Sequence, residues 1–416
     1  MNKILPIFLL RVSGIGVAYV LTLFLTNSLT VEHFGDLTYF LTVTSIMSVF
    51  VCFGLPTYLL KICSLDRLKN KRKINTELIH ASFIILINVL ICIIVMLILK
   101  SVVNVDLPVV PIILYVLFLS INNILYEVLN AAGKQLLSSM LQIVVYPFLI
   151  VCSLLLLVRM NYQINVVNFF YIQAGVLFFL SIVSMSQIKA IYTLKVDYNI
   201  KSFGVIQTYK LAFPMMLIST VGLIMTWTDV LVTSILFGDF ELAIYSVASK
   251  VALLFSLVLT AINILFARKI AYMYSQSDLN GIRKLIKKAW QYSYILLLPM
   301  VLVIYHSSGF ILSLFGAEYI NGIHILAILS ISQIINVAFG PVGYLMSMTG
   351  DENSLREILF IACLINIVLS FLLGAFYGVV GIAVSTLLST LLWNSLAAIK
   401  VYNKFRIITL VPYYKI

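Results

Sequence analysis

Residues 78–99 run for 22 positions without one Asp, Glu, Lys or Arg, and the chain repeats such stretches from end to end. About 20 apolar residues rising 1.5 Å each are needed to cross a hydrocarbon core of about 30 Å. Backbone polar groups in lipid must bond within their own segment, so long Leu, Ile and Val runs without period-2 alternation fold as helices and not as a barrel. With 62% hydrophobic and 10% charged residues and a mean hydropathy of +1.12, a water-soluble globule would have too little polar surface. The expectation is an all-α integral membrane protein. Twelve spans are predicted, at 7–29, 37–63, 78–99, 108–131, 137–158, 166–187, 211–237, 242–266, 290–305, 323–348, 355–376 and 379–400. The ninth is short, holds Pro299 and is followed by a second apolar piece at 310–315. Residues 7–29 are too long for a signal h-region and read as the first span.

Two phrases recur half a chain apart. Leu5-Pro6-Ile7 with Gly14 returns as Phe213-Pro214-Met215 with Gly222, an offset of 208, and Phe34-Gly35-Asp36 returns as Phe237-Gly238-Asp239, an offset of 203. Ala131-Ala132-Gly133-Lys134 resembles Met348-Thr349-Gly350-Asp351, an offset of 217. Six spans per half is an even number, so the halves enter from the same side and form parallel repeats. Two six-helix lobes follow, 1–204 and 205–416, with matched bend or hinge points at Pro6 and Gly14 and at Pro214 and Gly222.

Alternating loops place 23 of the 27 Lys and Arg residues on one side, which puts both termini in the cytoplasm. The net charge of +12 then concerns topology and an anionic leaflet, not nucleic acid. The run from Arg67 to Lys73 is part of that signal, and 279–289 has the spacing of an amphipathic helix on the inner surface before the ninth span. Five cysteines and four histidines are scattered without C-x-x-C or H-x-x-x-H spacing, so neither a disulfide set nor a metal site is expected. No phosphate-cradling G-x-x-x-x-G-K-[ST] is present and no loop is long enough for a catalytic domain, so no cofactor and no enzymatic activity are expected.

Chemistry is then confined to the membrane, where a charge near a helix centre costs about 2.5–3.5 kcal/mol and faces a partner or a wet cavity. Arg11, Asp229 and Lys250 are such residues. Asp229 and Lys250 fall at similar depth on consecutive antiparallel helices, compatible with a salt bridge, a part in transport, or both. Asn122, Asn123, Gln142, Gln173, Asn263, Gln333, Asn336, Asn366 and Asn394 either line an aqueous path or bond neighbouring helices.

The two parallel halves, the Phe34-Gly35-Asp36 turn, the run from Ala243 to Lys250 that follows Asp229, and the run from Gly343 to Gly350 resemble the polysaccharide flippases. That family belongs to the multidrug, oligosaccharidyl-lipid and polysaccharide exporter superfamily, and within it the chain is most similar to bacterial O-antigen flippases of the Wzx type. The resemblance implies a MATE-like pair of lobes with alternating access in the bacterial inner membrane. It implies an undecaprenyl-diphosphate-linked oligosaccharide as cargo, with the polysaccharide polymerase machinery as a further partner. Arg11 and Lys250 match the basic residues such proteins turn to the diphosphate or to acidic sugars, Asn122, Asn123, Gln333 and Asn336 are candidates for the cavity lining, and Asp229 is the coupling candidate. A drug or cation exporter of the same superfamily, or a membrane-embedded polymerase, are the alternatives.

Overall fold

A computed structural model describes residues 4–65, 71–103, 108–191 and 202–406, and every regular element within them is helical. Arg67, Lys69, Lys195, Lys201 and Lys415 lie outside the described residues. In chain order the α-helices are α1 (Ile4–Ser28), α2 (Val31–Cys52), α3 (Leu55–Leu65), α4 (Lys71–Val103), α5 (Val109–Ala131), α6 (Gln135–Ser139), α7 (Tyr146–Arg159), α8 (Val166–Ile191), α9 (Ser202–Phe237) and α10 (Asp239–Ala252), followed by α11 (Ser256–Ser275), α12 (Leu279–Ser313), α13 (Ile323–Ala338), α14 (Val342–Met348) and α15 (Glu352–Phe405). Ten helices among the described residues are long and apolar enough to cross a membrane, and Leu223–Phe237 is a shorter apolar segment. The chain is thus a multi-pass integral membrane protein.

Glycine and proline decide where these helices break. α15 is 54 residues long but turns at Gly378, whose φ of 67° and ψ of −157° suit only glycine. The two arms meet so closely that a Cβ on Gly381 would strike the Leu373 carbonyl. Pro147 sits in the first turn of α7, and the six residues before that helix, Met140–Val145, widen into a π-helix. The proline ring needs room where the carbonyl of residue 143 would stand, and a π-turn supplies it. Pro299, by contrast, is absorbed within α12, which runs unbroken from Leu279 to Ser313. The expected short ninth span and the start of the 310–315 piece, through Ser313, are therefore one helix, since a single missing N–H does not end a helix this long.

Residues 279–289 form the first turns of α12, and their apolar face is covered by the protein itself: Ile282, Leu285, Ile286 and Ala289 are buried in a cluster with Phe339, Met346, Val401 and Phe405. The apolar stripe is spent on the protein's own core, leaving Lys284, Lys287 and Lys288 exposed.

The chain divides into two compact units, one of Met1–Leu29 with Phe40–Thr220 and the other of Thr30–Tyr39 with Val221–Ile416. In the first unit α5 lies along α8 and α3, and α1 along the π-turn and α7. Gly14 permits this last approach, because a Cβ there would come 2.6 Å from the Ile143 carbonyl oxygen. α9 contributes its first 19 residues to the first unit and the remainder to the second. In the second unit α13 packs on α15 and α10, and α11 on α12.

Candidate functional site

In the first unit, Arg11 projects from α1 as an exposed residue one helical turn before Gly14. Asn122 is fully buried on α5, and its amide donates 2.8 Å bonds to its own Phe118 carbonyl and to the Leu177 carbonyl of α8. It staples two helices. Asn123 is half-buried, with its side chain toward Cys52, whose thiol faces Ser48 and the Ser120 carbonyl. The start of α9 is docked on this unit by further polar contacts. Glu77 accepts from Tyr58 and Thr208, Tyr209 bonds Asn88, and Gly54 lies against the Ala212 carbonyl and Met216. Pro214 is an exposed position inside α9, and Gly222 follows two turns later in the same helix.

In the second unit Asp229 is 8% exposed and is the centre of a polar knot. Its Oδ2 accepts 2.8 Å and 2.7 Å hydrogen bonds from the hydroxyls of Tyr245 on α10 and Thr386 on α15. Asn366, fully buried on the other arm of α15, faces the carboxylate as a third neighbour. The carboxylate is thus held by hydroxyls and not by Lys250. Tyr245 and Lys250 are five residues apart on α10, which sets them about 140° apart around the axis. Tyr245 turns to Asp229, while Lys250 Nζ stands 5.1 Å from the centre of the Phe34 ring in cation–π range. Gln333 and Asn336 are half-buried on α13, and Asn336 Oδ1 accepts from Asn394 at 3.2 Å.

Phe34 belongs to the first of the duplicated tripeptides, and the structure brings it to the second. Thr30–Tyr39 is part of the second unit, and Gly35 abuts the backbone of Asp239 so closely that a Cβ would lie 2.6 Å from its carbonyl carbon and 2.9 Å from its Cα. The Asp36 and Asp239 carboxylates are near enough to repel one another, with His33 as an attractive neighbour. Phe34, 1% exposed, meets Tyr319 edge-on at 6.3 Å between ring centres. The repeated phrases are thus the two faces of one joint. Gly238 has φ 80° and ψ −170° and separates α9 from α10, so the second copy of the phrase is a helix break and the first is the opening turn of α2.

Comparison with known proteins gives this arrangement a family. Residues 1–267 match the polysaccharide biosynthesis protein family, and residues 214–372 match the MatE family. The capsular polysaccharide biosynthesis protein CapF of Staphylococcus aureus is 23% identical over 246 residues, which span 59% of this chain and 62% of that protein's length. Among solved structures, an inward-facing multidrug resistance MATE transporter of the MOP superfamily superposes with a TM-score of 0.74 at 14% identity, covering 95% of this chain and 94% of the other. The lipid II flippase MurJ in an inward closed conformation superposes with a TM-score of 0.71 at 17% identity, covering 97% and 90%. With the family match extending over residues 1–267 of 416 and the fold shared with MATE transporters and MurJ, the chain belongs to the polysaccharide biosynthesis protein family.

Proposed function

We propose that the protein moves undecaprenyl-diphosphate-linked oligosaccharide units, the repeat units of O-antigen, from the cytoplasmic to the periplasmic leaflet of the bacterial inner membrane. The family match over residues 1–267 carries this reading. It is supported by a chain whose ionisable groups inside apolar helices are few and unlike one another: exposed Arg11, Lys250 against an aromatic face, and a buried Asp229. Counting the two arms of α15 separately and adding Leu223–Phe237 gives twelve passages. The proposal keeps two six-helix lobes, 1–204 and 205–416, with both termini in the cytoplasm. The protein carries out no covalent chemistry.

In this mechanism Arg11 attracts the diphosphate, Lys250 and half-buried Gln333 and Asn336 meet the glycan, and the polyprenyl tail stays in lipid. The joint of the two Phe-Gly-Asp turns separates and reforms as access alternates. Outward passage of an anionic head is favoured by an inside-negative potential, about 2.3 kcal/mol per charge per 100 mV for full transit. Asp229 binds a proton or another small cation and couples that event to the movement. The test is restoration of surface O-antigen in a deletion strain by Arg11→Ala and Lys250→Ala at matched protein levels. Loss of long chains, with an unpolymerised lipid-linked repeat unit held on the cytoplasmic side, is the expected result, and wild-type output from both variants removes them from the mechanism.

The MatE match over 214–372 and the buried carboxylate favour, as a second reading, export of organic cations. Drug efflux dependent on Asp229, with O-antigen unaffected by the deletion, would select it.

A further inference from the structure

α12 presents two opposite stripes. Ile282, Leu285, Ala289, Ser293 and Leu297 face the protein and are buried. On the other side Lys284, Lys287, Lys288, Gln291, Ile295 and Leu298 are exposed at the same helical spacing. Along the axis this outer stripe passes from ammonium groups to an amide to hydrocarbon, the order in which a phospholipid presents its own parts. Trp290 and Tyr294, with ring centres 3.9 Å apart, stand where the polar portion gives way to the apolar one, the level at which such rings settle at a membrane surface. The helix has 35 residues, about 52 Å of length against a hydrocarbon core of about 30 Å, so one end must stand clear of the core. From Trp290, Lys287 and Lys288 lie about 3–5 Å along the axis toward the polar end and Lys284 about 9 Å. A headgroup layer is about 5–8 Å deep, so the three ammonium groups on their flexible stems reach phosphate depth.

These lysines have no counter-ion on their own helix. No Asp or Glu occurs between Asp278 and Glu318, and Asp278 is occupied as the cap of α12, accepting from the Gly281 N–H at 2.7 Å. Among the described residues, Lys284, Lys287 and Lys288 form no ion pair and donate no side-chain hydrogen bond. Their neighbours are engaged: Arg283 donates to Asn280 and to the Phe405 carbonyl, each at 3.3 Å, and Lys404 donates to Asp351 and to the Thr349 carbonyl. Repulsion sharpens the contrast. Arg283 with Lys287 and Lys284 with Lys288 are like charges one turn apart, and they stand at the positive end of a helix with no acid in its first turn. An anion beside the stripe offsets both terms. One turn further on, the Trp290 indole N–H has no acceptor in the protein, and a phosphate or ester oxygen is an acceptor of the kind it lacks.

We infer that the exposed face of α12 from Lys284 to Gln291 is a binding site for an anionic phospholipid of the surrounding leaflet, its phosphate held by Lys284, Lys287 and Lys288 and its acyl chains lying along Ile295 and Leu298. A soluble phosphate would satisfy the lysines and leave the apolar continuation of the stripe uncovered. A zwitterionic lipid would bring its own ammonium group to lysines that already repel one another. The site is independent of the cargo that the protein carries. The buried side of the same turns packs with Met346, Val401 and Phe405, so an anion that relieves repulsion on the outer side also steadies this end of the second unit.

Trp290 can report its own neighbour. The full chain carrying Trp227→Phe and Trp393→Phe, which leaves Trp290 as the single tryptophan, is placed in phosphatidylcholine vesicles with rising fractions of phosphatidylglycerol brominated on its acyl chains. Quenching of Trp290 fluorescence then gives the affinity of that lipid relative to phosphatidylcholine. Phosphatidylglycerol should be preferred about tenfold or more, since each lysine at an anionic surface contributes about fivefold. Lys284→Gln, Lys287→Gln and Lys288→Gln together should abolish the preference, and in lipid-free detergent that variant should melt no lower than its parent, because like charges have been removed. Arginine at the same three positions should retain the preference. So should Lys269→Gln with Arg356→Gln and Lys400→Gln, which takes the same charge from elsewhere on the second unit. Equal quenching by brominated phosphatidylglycerol and brominated phosphatidylcholine in the parent overturns the site, as does a preference that survives the three glutamines, is lost with arginine or is lost in the Lys269, Arg356 and Lys400 variant. A melting temperature well below the parent's makes the lysines structural and overturns it too. Displacement of phosphatidylglycerol by inorganic diphosphate, or by undecaprenyl phosphate at about a tenth of its mole fraction, would assign the face to a soluble anion or a prenyl phosphate and overturn the phospholipid reading.

Discussion

Gly35 is the position at which one methyl group should act most strongly. A Cβ there would stand 2.9 Å from Asp239 Cα and 2.6 Å from its carbonyl carbon, against an ordinary contact of about 3.4–4 Å, and both obstacles are backbone within the first turn of a helix. Neither can rotate away, so the first turn of α2 must retreat by about 0.5–1 Å. A gap of that size forfeits about a quarter to a half of the dispersion well. Phe34 and Leu37, each 1% exposed, are the side chains that would lose it. At about 1.5–3 kcal/mol for burial of each, the docking of Thr30–Tyr39 should weaken by about 1–3 kcal/mol, a shift of about 5- to 150-fold in its equilibrium. The assay is oxidative cross-linking of Asp36→Cys to Asp239→Cys with the five native cysteines replaced. Gly35→Ala should slow disulfide formation by that factor, whereas Gly309→Ala, where nothing lies within 4 Å of a new Cβ, should leave the rate unchanged. Equal cross-linking in Gly35→Ala and its parent would refute the claim that this backbone contact holds the joint closed.

Under the proposed function, the same disulfide, once formed, should stop O-antigen export and release it on reduction, measured by the return of long surface chains; uninterrupted export by the cross-linked protein would show that the joint does not open during turnover. Tyr245→Phe and Thr386→Val each take one hydroxyl from Asp229, so each should lower stability by about 1–3 kcal/mol in urea unfolding from detergent. Because both bonds end on Oδ2, the double variant should deviate from additivity by 0.5 kcal/mol or more, about the coupling seen between groups sharing a partner. Gly378→Ala places an L side chain at φ 67°, ψ −157° and should lower stability by about 1–3 kcal/mol although no neighbour obstructs its Cβ.

Much of the fold was legible because the bilayer removes alternatives. An uncharged run such as 78–99 has one regular conformation that satisfies its backbone, and the helix observed there, α4, covers it. Helix ends were less legible, since they depend on tertiary surroundings: the span holding Pro299 was expected to end at 305 and runs on to Ser313, while Pro147 is preceded by a π-turn that Gly14 packs against. The stripe at 279–289 was read correctly as amphipathic, but periodicity records that a face is apolar and not whether lipid or Phe405 covers it.

The site was half legible for a related reason. Asp229 stands out because a charge in an apolar run is costly, but its partners Tyr245 and Thr386 are hydroxyls, which cross membranes without penalty enough to draw notice. Pairing Asp229 with Lys250 by depth neglected azimuth: two residues at one level bond only when their helices turn them together, and five residues along α10 are enough to send Lys250 to Phe34 instead. That separation is functionally consequential. A carboxylate locked in an ion pair with its neighbour would have to break that pair before taking a cation. One held by the hydroxyls of Tyr245 and Thr386 has no such pair to break. Lys250, with its Nζ over the ring of Phe34 in the first copy of the duplicated phrase, instead ties α10 to the joint that holds Thr30–Tyr39.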